Sequence, residues 1–198
     1  MTRDIEIFEE PVASLVDYGS IPIAFQVRRK FDVELISGGL GGVALHECEV
    51  GQSYVKDYDA MEGNSPHLWA AQWDVSNWAV LSACRDGIRV GGAVVAFDTV
   101  GVDMLEGRRD LVVLWDIRVH PDYRREGVGR ALFTAVEALA RARGCLEFKV
   151  ETQNTNVEAC RFYVRQGCSL AAFNRFAYRD CPEEIQLIWQ KSLHSLPT

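Results

Sequence analysis

Nowhere in the 198 residues do about eighteen apolar side chains follow one another, so the sequence offers no membrane-spanning helix. The opening MTRDIEIFEEPVASL lacks the apolar core of an export signal, which predicts a soluble, cytoplasmic protein. Positive charge is in deficit: 21 Lys and Arg against 28 Asp and Glu leave a formal net charge of -7. Nucleic acid and anionic membrane both require a cationic face, so neither is expected as a partner, whereas a cationic substrate suits this balance. The six cysteines, Cys48, Cys84, Cys145, Cys160, Cys168 and Cys181, form no CxxC pair and have no histidine close by. No metal site is expected from them, and without an export signal they read as reduced thiols. His120, before Pro121, reads as a turn residue. Repeats, low-complexity tracts and long linkers are also missing, which predicts one domain over residues 1–198.

What is present reads as an α/β layer structure with helices packed on a mixed sheet. Trp78–Cys84 and Ile88–Phe97 are apolar runs joined by Asp86-Gly87, a hairpin signal. Gly91 and Gly92 inside the second run mark a bulge or a close backbone approach. Leu111–Val119 reads as a third strand. From Val128 the apolar positions recur every three or four residues until Gly144, the pattern of an amphipathic helix. Leu146–Val150 makes the next strand, and Asn156 caps a helix running towards Gly167. Ala171–Tyr178 and Ile185–Trp189 are strand-like. In the N-terminal part, about 1–77, Ile21–Phe25 and Phe31–Ile36 are read as strands, Ser37–Gly42 as a loop, and Pro66–Trp73 as a helix opening.

The most telling stretch is WDIRVHPDYRREGVGRALF, Trp115–Phe133. Gly127, Val128 and Gly129 lie where a strand has ended and a helix begins. Several backbone N–H groups are exposed together there, at the positive end of the helix dipole, which suits a phosphate. Arg118, Arg124, Arg125 and Arg130 make this window the most basic in an acidic chain. The spacing excludes the common nucleotide loops: GxxxxGK[ST] is absent, and a dinucleotide fingerprint would need glycine where Leu132 stands. What remains is a strand, a proline turn and RxxGxG, formed by Arg124, Gly127 and Gly129.

VxPxxRxxGxG followed by a helix resembles the acyl-CoA pyrophosphate loop of the GNAT superfamily of N-acyltransferases. VETQNTNVEACRFYVRQG, Val150–Gly167, resembles the same family's second CoA-binding segment. Within the superfamily, ETQNxNVxACxFY and the closing EIQLIW look most like the streptothricin acetyltransferases. The close match covers Leu111–Trp189, with Trp78–Phe97 fitting the preceding hairpin. The resemblance implies a mixed, mostly antiparallel, splayed sheet with helices on both faces, and a CoA-binding core at about 78–190. It implies acetyl-CoA as cofactor, held by the backbone of Ile117 and Val119 along the pantetheine. The amides around Arg124, Arg125, Gly127, Val128, Gly129, Arg130 and Ala131 would hold the pyrophosphate. Asn156 and Phe162 would face the cofactor from the other side, with Asn154 a further candidate.

Acetyl transfer to an amine needs a neutral nucleophile, a donor for the oxyanion of the tetrahedral intermediate, and a proton for the departing thiolate. The resemblance implies a backbone N–H near Val119 for the oxyanion and Tyr163 for the proton. A free phenol near pKa 10 passing a proton to a thiolate near 8.5 is uphill by roughly 2 kcal/mol. Asp116, a carboxylate in an apolar strand, and Glu151 are the candidates for accepting the amine proton through water or for anchoring the cation. Two departures from the pattern stand out. The streptothricin enzymes tend to carry two adjacent acids where this chain has Trp115 and Asp116, and Cys168 stands where phenylalanine is common. On the acceptor side, YVKDYD with Trp69, Trp73 and Asp74 offers aromatic faces and carboxylates that hold organic cations. The reading is therefore an N-acetyltransferase acting on a small cationic amine such as a polyamine or a streptothricin-like antibiotic. Acetylation of a protein lysine or N-terminus, and a non-catalytic acyl-CoA sensor, are the alternatives, and a homodimer stays open.

Overall fold

The computed structural model describes residues 4–194. In chain order its elements are β1 (Glu6–Glu10), α1 (Leu15–Tyr18), β2 (Phe25–Leu35), β3 (Val43–Lys56), α2 (Trp69–Gln72), β4 (Ala79–Arg85) and β5 (Ile88–Phe97). Then follow β6 (Leu111–Val119), α3 (Val128–Ala142), β7 (Glu147–Gln153), α4 (Val157–Arg165), β8 (Ser169–Asn174) and β9 (Gln186–Ser192). Cα packing divides the chain into two units. The first takes residues up to Ala24, Asp57–Val150 and those from Gln190 on; the second takes Phe25–Lys56 and Glu151–Trp189.

In the first unit the strand order is β1-β4-β5-β6-β7. All neighbours run antiparallel except β6 and β7, whose parallel pairing requires the crossover that α3 supplies. The β4–β5 hairpin turns on Asp86 and Gly87, both at positive φ (52° and 76°), as a two-residue loop matched to strand twist demands. The glycine pair answers to both readings it allows. Ala83 faces Gly91 while Cys84 faces Arg89, so Val90 is bulged. A Cβ on Gly91 would sit 2.9 Å from Val128, and one on Gly92 2.6 Å from the ring of Tyr18. The first glycine thus admits α3 to the sheet, and the second admits α1. Helix α3 buries Val128, Leu132, Phe133, Val136 and Ala140 along one face, with Phe133 4.8 Å from Phe148 of β7. Gly144, at φ 78°, ends it with its N–H donating to Arg141 O.

In the second unit β2 and β3 form a long antiparallel hairpin around Ser37–Gly42, α4 follows its cap, and β9 lies beside β8. Buried Asn154 ties this unit together: its side chain donates to Phe31 O (2.8 Å) and accepts from Ile185 N (2.8 Å), while its backbone bonds the same two residues. Lys56 and Glu184, side chains 10% and 4% exposed, form an ion pair at 2.6 Å.

Several expectations from the N-terminal part are corrected. Ile21–Ala24 is not a strand; one strand runs from Phe25 to Leu35 and absorbs Phe31–Leu35. The 14-residue β3 was missed, and with it the strand character of Tyr54–Lys56. β2 does alternate, apolar Phe25, Val27, Phe31, Val33 and Leu35 against polar Gln26, Arg28, Lys30, Asp32 and Glu34, and only its second half was read; β3 leaves most side chains of both faces exposed, so no half-buried alternation marks it. The strand expected at Ala171–Tyr178 is Ser169–Asn174 instead, because Arg175–Tyr178 turns away from it.

Candidate active site

Strand β6 carries the centre of the first unit's site. Asp116 and Arg118 are two residues apart, so the pleat puts their side chains on one face. There Arg118 donates to both Asp116 oxygens (2.9 and 2.7 Å), to both oxygens of Asp59 (2.7 and 3.1 Å), and to Ile21 O (3.1 Å). Tyr18 donates its hydroxyl to Asp116 and lies with its ring 4.9 Å beneath the guanidinium. The Arg118 side chain is 1% exposed and that of Asp116 8%. Burial, followed by the Asp116 charge, pushes the Tyr18 phenol well above its ordinary value of 10.0, so it is a fixed donor. Burial opposes the Arg118 cation, but Asp116, with Tyr18 and Asp59 behind it, outweighs this and holds it charged. Arg118 therefore does not join the phosphate-binding window in which its sequence position put it. The lone carboxylate in an apolar strand exists beside a buried cation.

The opposite edge of β6 is the part that can take a ligand. His120 N–H donates to Val90 O at 2.9 Å, which makes Val119 and Gly91 a non-hydrogen-bonded pair of the ladder. By the alternation of an antiparallel ladder, the N–H and C=O of Val119 and Ile117 then point away from β5. The parallel pairing with β7 covers Leu111–Leu114. It leaves Asp116–Val119 outside that ladder, beyond a bulge at Trp115 where two β6 residues meet one interval of β5.

Past this edge the loop turns on Arg125 and Gly127, at φ 68° and 90°, into α3. The first bond within the helix runs from Ala131 N–H to Gly127 O, and no side chain caps the start. The amides of Val128, Gly129 and Arg130 thus have no carbonyl a turn back, and no acid stands in the first turn. Among the described residues, apart from Gly127's own chain surroundings, nothing lies within 4 Å of where its side chain would begin, so a phosphate can approach the backbone. These features fit an anion of the pyrophosphate type. Arg124 shapes the turn rather than reaching outward: its guanidinium donates to Val119 O (3.1 Å) and Ala24 O (3.3 Å). Arg125 and Arg130 are exposed.

In the second unit Asn156 caps α4 through its Oδ1, which accepts from Ala159 N at 3.2 Å. Phe162 is half-buried and packs edge-on against Tyr163, ring centroids 5.5 Å apart. Tyr163 is 5% exposed, on the α4 face that also buries Val157 and Cys160. Glu151 accepts from Tyr178 (2.7 Å) and from Gln186 (2.7 Å), one bond to each oxygen. Asn154, with all its polar groups engaged inside the protein, is structural and is withdrawn as a cofactor ligand. Among the described residues no group of His, Cys, Asp and Glu could hold a metal ion, and no helix is long and apolar enough to cross a membrane.

The acetyltransferase (GNAT) family model matches residues 45–168. The chain belongs to the GNAT acetyltransferase family. Over 189 residues, 93% of this chain and of its relative, it is 26% identical to the streptothricin acetyltransferase of Escherichia coli. Over 88 residues, 44% of this chain and 57% of the relative, it is 33% identical to aminoglycoside N(6')-acetyltransferase type 1 of Klebsiella aerogenes. Nourseothricin acetyltransferase shares the fold with a TM-score of 0.73 at 22% identity, covering 96% of this chain and 99% of the other. A Bacillus anthracis str. Ames protein solved in complex with acetyl coenzyme A does so with a TM-score of 0.74, at the same identity and coverage. The acetyl donor of this GNAT enzyme is acetyl-CoA.

The residues that the sequence offered for holding a cation are partly committed to the core of the acetyltransferase. Trp69 and Trp78 are buried and pack with Trp73 and Trp115 at centroid distances of 4.7 to 6.3 Å. Asp74 caps a short turn by accepting from Ser76 N. Its hydrogen bonds to Ser76 lower its pKa from the ordinary 3.8. Asp59 is taken by Arg118, and Asp57 accepts from Asp59 N. Sequence reading missed Tyr18, and it offered Asp59, within YVKDYD, as an acceptor-side carboxylate rather than as a partner of Arg118. The D-x-R spacing on β6 was legible, but nothing local ties it to residues 98 and 59 positions away.

Proposed function

We propose that this enzyme transfers the acetyl group of acetyl-CoA to a primary amine of a small, cationic molecule of the streptothricin or polyamine type. The observation that carries the donor half is the sequence of free strand edge, left-handed turn and uncapped helix start between Ile117 and Ala131. Bound there, acetyl-CoA supplies a thioester-activated acetyl group. Ile117 and Val119 would align it along this edge, as an added strand would be aligned, with Val119 O also accepting from Arg124. The amides of Val128, Gly129 and Arg130 hold the negative charge of the pyrophosphate, and Arg125 adds charge at the rim. The outward Val119 N–H would donate to the acetyl oxygen as negative charge grows there. Tyr163 supplies the proton to the leaving sulfur, with Asn156 and Phe162 facing the cofactor beside it.

The acceptor half rests on the net charge of -7 and on the likeness to streptothricin and aminoglycoside acetyltransferases. Asp116 and Glu151, each held by hydrogen bonds, serve to hold the acceptor side in shape and negative, and the amine proton leaves through water. Thiol release from acetyl-CoA against a panel of amines, with streptothricin, spermidine and a lysine peptide as arms, tests the reading. Tyr163→Phe should lower kcat by about 10²-fold or more and leave CoA affinity unchanged. Turnover of the lysine peptide alone would overturn the small-amine reading, and an undiminished kcat would overturn the role of Tyr163.

A further inference from the structure

The pyrophosphate loop contains an acid in a place where an acid is unfavourable. Between Arg124 and Ala131, Glu126 is the one acidic residue, and it stands directly before Gly127, which caps α3. A carboxylate at the positive end of a helix dipole is welcome when nothing else binds there. It competes with an incoming phosphate when something does, since two anions within a few ångström repel. The structure contains a counterweight. Arg85, the last residue of β4, donates Nη1 to Glu126 Oε2, and its guanidinium lies 5.5 Å from the centre of the Tyr123 ring in the same loop. Its side chain is 13% exposed, while that of Glu126 is 47% exposed. The buried Nε has no hydrogen-bond partner among the described residues, so the side chain is fixed by Glu126 and Tyr123.

We infer that Arg85 is a positioning residue for the donor: it neutralises Glu126 and pins Tyr123, so that the loop presents its amides, and no net negative charge, to the CoA pyrophosphate. Arg85 lies on the strand that precedes the β4–β5 hairpin and acts on the phosphate through Glu126. This rests on the proposed role of the Gly127–Ala131 amides. It predicts coupling between two residues 41 positions apart.

The test is a double-mutant cycle read as KM for acetyl-CoA, kcat, and CoA binding by calorimetry. Arg85→Gln should raise KM about five- to tenfold, with kcat within about twofold, because an uncompensated Glu126 then faces the anion. Arg85→Lys, which keeps the charge, should recover much of the loss. Glu126→Gln in the Arg85→Gln background should bring KM back to within about twofold of the parent, because the repelling charge is gone. An Arg85→Gln enzyme with unchanged KM overturns the inference, as does a double variant no better than the single one, which would mean that Arg85 binds the phosphate itself. Gly127→Ala separates this from the underlying reading: parental CoA binding in that variant would refute the loop's role, whatever Arg85 does.

Discussion

Replacing Arg118 by methionine should be among the most destabilising single changes in this protein, and the structure allows its size to be worked out. The substitution keeps the apolar stem but removes five hydrogen bonds: two to Asp116, two to Asp59 and one to Ile21 O. Asp116, 8% exposed, is left without its counter-ion, and Asp59, 23% exposed, loses the same partner. Breaking a buried ion pair from one side costs about 3–5 kcal/mol, mostly the penalty of the charge that stays behind. For a chain of this length each kcal/mol lowers Tm by roughly 2–4 °C, so a fall of about 6–20 °C is expected by calorimetry. Asp116→Asn on top of Arg118→Met should restore about 1–3 kcal/mol, because it removes the more buried orphan charge. High salt should change neither result much, since the cluster is shielded from mobile ions. A single variant melting within 2 °C of the parent, by the ~2–4 °C per kcal/mol scale, would refute this account. So would a double variant no more stable than the single.

Two further outcomes follow from the same region. Gly92→Ala places a Cβ 2.6 Å from the Tyr18 ring and 2.9 Å from Leu81 O, a backbone atom that cannot yield. A loss of about 2–3 kcal/mol in urea denaturation is expected, and a loss under about 0.5 would count against the packing described. The raised pKa of Tyr18 predicts an alkaline effect. Above pH 10 the unfolded phenol ionises first, so the folded state binds more protons and stability falls as pH rises, by up to about 1.4 kcal/mol per pH unit. Below pH 10 this contribution is fully present. Tyr18→Phe should flatten the curve between pH 10 and 11 relative to the parent, and parallel curves would contradict the burial of that hydroxyl.

What the sequence made legible depends on where each segment's stabilisation comes from. Ile88–Phe97, Leu111–Val119 and the helix from Val128 were readable to the residue because each buries an apolar face, and burial is written into periodicity. The RxxGxG turn was readable because a left-handed backbone at Gly127 favours glycine. The β2–β3 hairpin was read only in part: β2 alternates and its second half was read as a strand, whereas β3 is largely exposed and its partners are set across strands, as in Glu47 with Arg29 at 3.0 Å. The surroundings of Asp116 were half legible. Its neighbour Arg118 lies two residues on, yet Tyr18 and Asp59 come from segments whose structure the sequence left weakly marked.

The arrangement around Asp116 bears on how an acetyltransferase site keeps its geometry. The Asp116 carboxylate accepts from a guanidinium and a phenol inside the protein, and these charge-assisted bonds fix its orientation. Both Asp116 oxygens are thus committed to holding Arg118, and one of them to Tyr18 as well. What it holds is mechanically connected to the chemistry. Arg118, fixed by Asp116 and Asp59 on one face of β6, lies between Ile117 and Val119, whose amides and carbonyls turn to the other edge. A backbone donor can stabilise growing charge only if it does not reorganise as the charge develops. On the proposed reading, the buried cation clamps the residue between the two whose backbone would align the donor, at a stretch of β6 beyond its ladder with β7.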